Sequence, residues 1–427
     1  MKSQQIEALQ PLDAHNQKLQ SNVHPENHEN PTAADKYNLV VIGGGTAGLV
    51  AASIGAGLGG RVALVERSLM GGDCLNVGCV PSKGIISSAR TAAAVRTAGE
   101  FGVKVHDGVS VDFPAVMERM RKLRSDISPH DSVKRFKDLG VDVFLGQARF
   151  LDGSRVEVDG QNLNFTKAVI CTGARASAPS IKGLDSVPYL TNETLFSLTE
   201  LPRRFGVIGG GPMGAEMAQS FARFGSEVSL ITSNRGLMPN EDREAVAMVQ
   251  KHMEKDGVHM LVGAHELDVS ITQDGSIRLL HDQARNGYDI EVDQLLVAVG
   301  RTPNVEGLGL DKAGVEFSEK GVVINDNFQT TNRRIYAAGD ICSAYQFTHA
   351  ADFMARSVVK NALFKGRFKH SSLIIPWSTY TSPELAHVGL NPELAEDQGV
   401  EIDTFTQPMS GVDRAILEGE TEGFIKV

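Results

Sequence analysis

The sequence predicts an α/β fold with two nested Rossmann-like domains and a smaller α+β domain at the C-terminal end. Two observations lead to this prediction. A chain of 427 residues is too long for one ordinary hydrophobic core. A glycine-rich turn between an apolar strand and a helix also occurs twice, at residues 43–48 and 209–214. Two such units in one chain imply two bound nucleotides.

The first glycine-rich turn follows the apolar run Tyr37–Ile42 and precedes an alanine-rich stretch with helical character. Gly43, Gly45 and Gly48 allow a tight turn and the close approach of a pyrophosphate, which rests at the helix N-terminus. Glu66 ends the next predicted strand, 23 residues after Gly43. A carboxylate at this distance accepts hydrogen bonds from ribose hydroxyls, so the whole unit predicts a dinucleotide site.

The second unit repeats this order after the apolar residues 205–208. Its turn has glycines at the same spacing, namely Gly209, Gly211 and Gly214. At the position equivalent to Glu66 it has Thr232 instead of an acid. Sites for NADP lack the carboxylate and place an arginine nearby, and Arg235 follows three residues later. If this unit holds a nicotinamide nucleotide, Thr232 and Arg235 favour NADPH, with NADH as the alternative if Arg235 is an ordinary exposed turn residue.

Cys74 and Cys79 lie in the run Gly71–Lys83, separated by four residues. A disulfide between them would close a very small ring, and its entropic gain would be slight. A helix starting beside the pair would favour the reactive thiolate, so we predict a redox pair. The alternatives are two ordinary buried cysteines or half of a zinc site. No second Cys/His cluster with ligand spacing follows, and no metal site is predicted.

The run Gly-Gly-x-Cys-x4-Cys-Val-Pro-Ser-Lys resembles the active-site segment of the flavin-dependent pyridine nucleotide–disulfide oxidoreductases. This family includes dihydrolipoyl dehydrogenase, glutathione reductase and mercuric reductase, and the resemblance extends from Tyr37 to Val427. It implies FAD in the first unit and a pyridine nucleotide in the second. Electrons would pass from NADPH through FAD to a Cys74–Cys79 disulfide, with Cys79 against the flavin and Cys74 nearer the substrate.

The same resemblance implies the roles of further residues. Lys83 would pair with Glu216 near the flavin and the nicotinamide. Asp340 would accept a hydrogen bond from the ribityl chain, a role compatible with helix capping. The other cofactor-binding residues that the resemblance implies are Arg67, Gly72, Lys83, Thr172, Gly173, Gly300, Arg301 and Gly339.

Asp73 stands where the compared relatives usually have threonine. A carboxylate beside Cys74 disfavours a second negative charge, so we expect Asp73 to raise the pKa of the Cys74 thiol. Cys171 and Cys342 are expected to be buried core residues. The charged helices predicted over residues 113–139 are expected to present a solvated face.

The resemblance assigns residues 37–185 and 301–368 to an FAD-binding domain and residues 186–300 to an NAD(P)-binding domain. Residues 371–427 would begin a C-terminal dimerisation domain. That domain reads as incomplete, because the family segment that supplies a His–Glu pair to the partner subunit does not appear before Val427. We expect a fragment, and a homodimer if the full domain is present. Residues 1–36 are predicted to be a polar arm, partly disordered.

The composition limits the possible partners and location. A net charge of −10 argues against nucleic acid and anionic membranes as partners. No apolar run is long enough to span a bilayer. Residues 1–36 lack the features of signal and transit peptides, and four cysteines are too few for a secreted disulfide scaffold. We therefore expect a cytoplasmic enzyme.

The substrate is predicted less directly. Residues 345–352 and 412–415 look most similar to mercuric reductases, which indicates a disulfide, dithiol or metal-ion substrate such as Hg(II). Dihydrolipoyl dehydrogenase is the alternative, disfavoured by Thr232. A flavin- and nucleotide-binding interaction protein without turnover is an alternative of another class, disfavoured by the intact cysteine, lysine and glutamate set.

Overall fold

The computed structural model describes residues 9–105, 108, 110–282, 287–364 and 366–427. The α-helices in these residues are α1 (Ala14–Val23), α2 (Thr46–Gly57), α3 (Gly72–Asn76), α4 (Cys79–Thr97), α5 (Phe113–Ile127), α6 (Val133–Asp138), α7 (Asn192–Leu195), α8 (Pro212–Phe224), α9 (Arg243–Lys255), α10 (Thr348–Phe364), α11 (Pro392–Asp397) and α12 (Asp413–Glu418).

The first eleven strands are β1 (Tyr37–Ile42), β2 (Val62–Glu66), β3 (Val141–Leu145), β4 (Arg149–Asp152), β5 (Arg155–Val158), β6 (Gln161–Ile170), β7 (Ala174–Ala176), β8 (Arg204–Ile208), β9 (Glu227–Thr232), β10 (Val258–Val262) and β11 (Leu267–Ile271). The others are β12 (Ile277–His281), β13 (Tyr288–Val292), β14 (Gln294–Val297), β15 (Arg301–Pro303), β16 (Phe317–Ser318), β17 (Gly321–Val322), β18 (Ile335–Ala337), β19 (Trp377–Thr379), β20 (Leu385–His387), β21 (Thr406–Pro408) and β22 (Phe424–Lys426).

A seven-stranded sheet forms around the first glycine-rich turn, in the order β3-β2-β1-β6-β5-β4, with β18 paired to the end of β6. Strands β3, β2, β1, β6 and β18 are parallel, whereas β5 and β4 extend the sheet in antiparallel pairing. Successive residues of β1 enter different cores: Leu39 and Val41 pack on one face, and Val40 and Ile42 on the other. Burial on both faces explains why this parallel strand is continuously apolar.

The second glycine-rich turn belongs to a separate parallel sheet, in the order β10-β9-β8-β14. Helix α8 follows the turn and packs on this sheet, where Phe205 and Phe221 stack with ring centroids 4.4 Å apart. An antiparallel sheet of β11, β12 and β13 lies beside it. These two parallel units confirm the predicted fold class. The exact domain boundaries remain a prediction.

Helix α4 connects the two units. It packs against both α5 and α8, and residues from the three helices share one hydrophobic core. Ile85 and Ala89 of α4 lie in that core with Phe221 of α8. Because α4 begins at Cys79, this packing fixes the second cysteine relative to the second nucleotide unit.

The predicted disorder of the N-terminal arm is wrong for residues 9–36. Residues 14–23 form α1, which is capped by the Asp13 carboxylate, and Leu19 and Val23 are fully buried in the first core. The arm has few apolar residues, but these two lie four apart and share one helix face. The predicted solvated face of α5 is also wrong for Arg121 and Arg124, whose exposed fractions are 7% and 2%.

The C-terminal residues form two short antiparallel pairs, β19 with β20 and β21 with β22. Cys171 is buried, as predicted, whereas Cys342 is half-buried. Among the residues that the structure describes, no helix combines the length and apolar character needed to cross a membrane.

Candidate active site

A cleft of about 1300 Å³, measured out to its open mouth, lies at the C-terminal ends of β1, β2, β6 and β18. Ligands in open α/β sheets bind at this edge. Cys74 and Cys79 line the cleft. Ten of the predicted cofactor residues also line it: Gly43, Gly45, Glu66, Arg67, Gly72, Thr172, Gly173, Arg301, Gly339 and Asp340.

The glycines of the first turn bring bare backbone to the cleft. Gly43 has φ +106°, and a Cβ there would lie 2.3 Å from the carbonyl oxygen of Cys171. A Cβ on Gly72 would lie 2.6 Å from the Cα of Gly45. Gly45 is the N-cap of α2 and offers no side-chain acceptor, so the first N–H groups of this 12-residue helix are left for a ligand. This cradle fits the pyrophosphate of FAD.

Glu66 forms one wall of the same end of the cleft. Its two carboxylate oxygens accept hydrogen bonds from the backbone N–H groups of Gly44 and Ser68, each at 2.6 Å. Burial raises the pKa of Glu66, while these two hydrogen bonds act against that rise. The carboxylate is therefore fixed beside the turn, where the sequence predicts ribose binding.

The second glycine-rich turn has the same local geometry as the first. Gly209 has φ +122°, and a Cβ on Gly214 would lie 1.9 Å from the carbonyl oxygen of Gly209. Gly211 caps α8 without a side-chain hydrogen bond. This turn and Gly300 are not part of the lining of the cleft described above. The second turn thus lies outside that lining, whereas Arg301, which follows Gly300, belongs to it.

The two residues that suggested NADPH differ in their surroundings. Thr232 is buried, and its hydroxyl donates to the carbonyl oxygen of Leu261 at 3.3 Å. Arg235 is exposed, and its guanidinium lies 3.4 Å from the side-chain oxygen of Asn240. The choice between NADPH and NADH remains a prediction.

Cys74 lies within α3, and Cys79 is the first residue of α4, so a helix begins at the pair as the sequence predicted. Both are free thiols. The hydrogen bond with Cys74, followed by that of Thr348 and the charge of Lys83, lowers the pKa of Cys79 to about 6 against the effect of burial. The Sγ of Cys79 lies 3.1 Å from the Thr348 hydroxyl oxygen. Cys79 is therefore the thiolate of the pair.

Cys74 shows the opposite shift. Its hydrogen bond with Cys79, its burial and the negative charge of Cys79 raise the pKa of Cys74 above its usual value. The pair therefore holds its proton on Cys74 and its negative charge on Cys79 when both are reduced.

Lys83 and Glu216 form the predicted ion pair. The Lys83 Nζ lies 3.0 Å from one Glu216 carboxylate oxygen, and the other oxygen accepts the backbone N–H of Tyr380 at 2.9 Å. Glu216 is buried, and Lys83 Nζ lies 4.4 Å from the centroid of the Tyr380 ring. Lys83 is one helical turn beyond Cys79, so its charge also acts on that thiolate.

The predicted action of Asp73 on Cys74 is corrected by the structure. Asp73 accepts a hydrogen bond from the Arg301 guanidinium, which also lies 3.4 Å from Asp340. The cation offsets the Asp73 charge. After the hydrogen bond with Cys79, burial and the Cys79 charge, the carboxylate that raises the pKa of Cys74 is Asp131. A Cβ on Gly71 would lie 3.0 Å from the Asp131 Oδ2, which places Asp131 against the start of the cysteine segment.

Sequence reasoning missed three residues of the site, Thr348, Tyr380 and Asp131. Thr348 begins α10 inside the segment that resembled mercuric reductases, so that resemblance was an available signal. Tyr380 lies in the segment that resembles the start of the dimerisation domain, which gave no sign of its contact with Lys83, and Asp131 lies in a segment without a motif.

Comparison with known proteins agrees with this geometry. Residues 37–355 match the family model described as pyridine nucleotide-disulphide oxidoreductase, and residues 375–427 match the model of its dimerisation domain. A mercuric reductase of Lysinibacillus sphaericus is 35% identical over 395 residues, covering 92% of this chain and 72% of that protein. A mercuric reductase of Bacillus cereus is 34% identical over 422 residues, covering 98% of this chain and 66% of that protein.

A dihydrolipoyl dehydrogenase of Thermus scotoductus is also 35% identical, over 405 residues that cover 92% of this chain and 84% of that protein. Among solved structures, the HOCl-induced flavoprotein disulfide reductase RclA from Escherichia coli has a TM-score of 0.80 and 29% identity, covering 91% of this chain and 86% of that chain. A Cu(II) complex of RclA gives the same TM-score. The chain therefore belongs to the pyridine nucleotide–disulphide oxidoreductases, FAD-dependent enzymes that act on sulfur groups or on Hg(II).

Proposed function

We propose that this chain is an NADPH-dependent reductase that delivers two electrons through Cys74 and Cys79 to a soft metal ion or a disulfide, with Hg(II) as the first candidate. The observation that supports this most is the division of charge in the pair. Cys79 is a thiolate beside Lys83, whereas Cys74 keeps its proton, and both cysteines line the open cleft.

The cleft residues would hold FAD, and the second glycine-rich turn with Arg235 would hold NADPH. When bound, FAD supplies the electron transfer between the nicotinamide nucleotide and the cysteine pair. Lys83 and Glu216 keep fixed charges beside Cys79, and Thr348 donates a hydrogen bond to its thiolate. We further propose the domain boundaries given above, a homodimer formed through residues 371–427, and a cytoplasmic location, where dithiols are kept reduced.

With a disulfide substrate, the Cys74 sulfur attacks one substrate sulfur and displaces the other as a thiol. The proton of Cys74 leaves with that first thiol. The Cys79 thiolate then attacks the Cys74 sulfur, closes the Cys74–Cys79 disulfide and releases the second half of the substrate as a thiolate, which takes a proton from water. Two electrons from NADPH reopen the pair. With Hg(II), both sulfurs are soft ligands for the ion, and the overall balance is NADPH and Hg(II) giving NADP⁺, a proton and Hg(0).

The relatives support two substrate classes. Mercuric reductases and dihydrolipoyl dehydrogenases match this chain with similar identities, and RclA is described as a disulfide reductase with a Cu(II) complex. Thr232 favours a metal-ion or disulfide reductase using NADPH over dihydrolipoyl dehydrogenase, because the NAD-type carboxylate is missing at that position.

The test is an anaerobic assay of the purified holoprotein. We expect Hg(II) to stimulate NADPH oxidation at least tenfold, and we would compare Cu(II) and oxidised glutathione in parallel. Cys74→Ser should abolish the stimulation, while Cys342→Ser, a change at a half-buried cysteine that is not among the residues lining the cleft, should leave it in place. Formation of NADH from dihydrolipoamide, with no stimulation by either metal ion, would overturn the proposal in favour of dihydrolipoyl dehydrogenase.

A further inference from the structure

The N-terminal strap, defined here as residues 11–30, precedes the part of the chain that matches the family model. It lies directly against the segment that leads into the cysteine pair. The backbone N–H of Met70 donates to the Val23 carbonyl at 3.1 Å, and the His24 Nδ1 contacts the Ser68 carbonyl oxygen at 2.5 Å. The strap therefore holds the chain immediately before Gly71.

A second connection passes through a buried arginine. One guanidinium nitrogen of Arg124 donates to the Asn16 side-chain oxygen at 2.7 Å, and the other donates to the Asn76 carbonyl at 2.6 Å. Asn16 and Asn76 are fully buried, and Arg124 is 2% exposed. The neighbouring Arg121 is paired with Asp13 of the strap at 2.6 Å. This chain of contacts reaches from the strap to the loop between the two cysteines.

The position of the Asn76 carbonyl matters because Asn76 ends α3, and only two residues separate it from Cys79. The Asn76 amide also donates to the carbonyls of Met70 and Gly72, at 3.0 and 2.9 Å. The loop is thus fixed at both its start and its centre. Its shape sets the separation of the two sulfur atoms.

Burying the Arg124 guanidinium between Asn16 and Asn76 costs free energy. Burial lowers its pKa to about 10, and both of its hydrogen-bond acceptors are neutral groups. A buried charge without an opposite charge in contact costs free energy. Its contribution is the fixed direction of two hydrogen bonds, which an apolar side chain of the same size could not provide.

We propose that the N-terminal strap positions the redox pair: through Asn16 and Arg124 it fixes the Asn76 carbonyl, and thereby the geometry in which Cys74 hydrogen-bonds to Cys79. Asn16 and Arg124 are positioning residues in this proposal. The inference rests on the proposed use of Cys74 and Cys79 as a redox pair.

The thiolate of Cys79 is a sensitive reporter of this geometry, because its hydrogen bond with Cys74 is the main cause of its low pKa. Burial raises the pKa of Cys79, and the other side chains that act on it are Thr348, Lys83, Glu216 and Arg301. All four lie outside the strap. A change at Asn16 therefore adds or removes no charge beside Cys79, and we expect it to shift the Cys79 equilibrium through the geometry of the loop.

The experiment uses the full chain, with the pair reduced chemically. The alkylation rate of Cys79 is followed against pH by peptide mass spectrometry. We expect Asn16→Leu to raise the pH midpoint of Cys79 alkylation by about one unit, which is a tenfold change in the thiol–thiolate equilibrium of Cys79. Asn16→Asp, which keeps an acceptor for Arg124, should restore much of the original midpoint. The matched control is Gln17→Leu, the same change in kind at the adjacent exposed position of α1.

Circular dichroism identifies any variant that fails to fold. If Asn16→Leu does not fold, Arg124→Lys replaces it, because lysine keeps the charge but cannot bridge both acceptors. Equal midpoints in wild type and in the folded variants would overturn the strap proposal. Failure of NADPH to release thiols from the wild-type pair would instead overturn the proposed function. The two failures are distinguishable because chemical reduction does not depend on NADPH.

Discussion

At the residue scale, different surroundings give Cys74 and Cys79 different pKa values and therefore different roles. Cys79 receives hydrogen bonds and lies near Lys83, whereas Cys74 gives a hydrogen bond and lies near Asp131. A lowered pKa favours the thiolate, and a raised one keeps the proton until a substrate arrives. The sequence spacing alone shows no such difference between the two sulfurs.

Asp131→Asn should lower the pKa of Cys74, because it removes a negative charge that disfavours the Cys74 thiolate. Asparagine has nearly the same shape, so the change is mainly one of charge. We expect Cys74 in the reduced protein to be alkylated several-fold faster at pH 8. Burial raises the pKa of Asp131, so the effect should grow with rising pH as its carboxyl group becomes ionised.

The control for this prediction is Asp138→Asn, the same substitution at an exposed position of α6. It should leave the alkylation rate of Cys74 unchanged. An Asp131→Asn rate equal to that of wild type would show that Asp131 does not act on Cys74. A slower rate would contradict the sign of the argument.

At the element scale, the packing of α4 on α8 brings Lys83 of the first unit to Glu216 of the second. The two charges act on Cys79 with opposite signs, since Lys83 lowers its pKa and Glu216 raises it. Lys83→Met should therefore raise the pKa of Cys79, and Glu216→Gln should lower it further. Alkylation of Cys79 against pH measures both shifts.

The opposite directions of these two shifts make the prediction specific. Shifts of the same sign would mean that the substitutions disturb the packing of α4 on α8, and not only its charges. Arg90→Met provides the control on α4, because Arg90 pairs with Glu384 at 2.5 Å and is not among the groups that act on Cys79. Arg90→Met should leave the pH midpoint of Cys79 alkylation unchanged.

The elements that could be predicted from the sequence are those with a fixed local spacing. Both glycine-rich turns need positive φ and close backbone approach, which only glycine allows, so the motif and the geometry agree. The Lys83–Glu216 pair was predicted from the family resemblance.

Contacts between residues far apart in sequence could not be predicted. The Asp73–Arg301 pair spans 228 residues of sequence, and the Asn16–Arg124 contact spans 108. Contacts of this range depend on tertiary packing, which no local pattern contains.

The N-terminal strap shows the same limit for a whole element. Its composition is polar, which predicts disorder when the residues are considered alone. Its stability comes from partners elsewhere in the chain: Asp13 pairs with Arg121, Asn16 accepts from Arg124, and Leu19 enters the first core. A polar segment can be ordered when its hydrogen-bonding groups meet buried groups that need them.

At the scale of the whole molecule, a buried carboxylate joins the second nucleotide unit to the C-terminal residues. Glu241 lies just before α9 and is 7% exposed. It accepts the indole N–H of Trp377 at 2.5 Å and contacts the His387 Nδ1 at 2.8 Å. The two rings pack together with centroids 4.3 Å apart. This cluster fixes β19 and β20 against the second unit.

Glu241→Ala should loosen the C-terminal residues selectively. It leaves the half-buried indole N–H without its acceptor, which costs up to about 1–3 kcal/mol. Trp377 is the only tryptophan in the chain, so its fluorescence reports this contact directly. We expect the urea midpoint of Trp377 fluorescence to fall below that of far-UV circular dichroism, because the region would open before the parallel sheets unfold.

Glu422→Ala is the matched control. Glu422 pairs with Lys251 of α9 at 3.0 Å, but both side chains are exposed, and such a pair contributes little to stability. Coincident transitions in Glu241→Ala, at the wild-type midpoint, would show that this cluster does not hold the C-terminal residues in place.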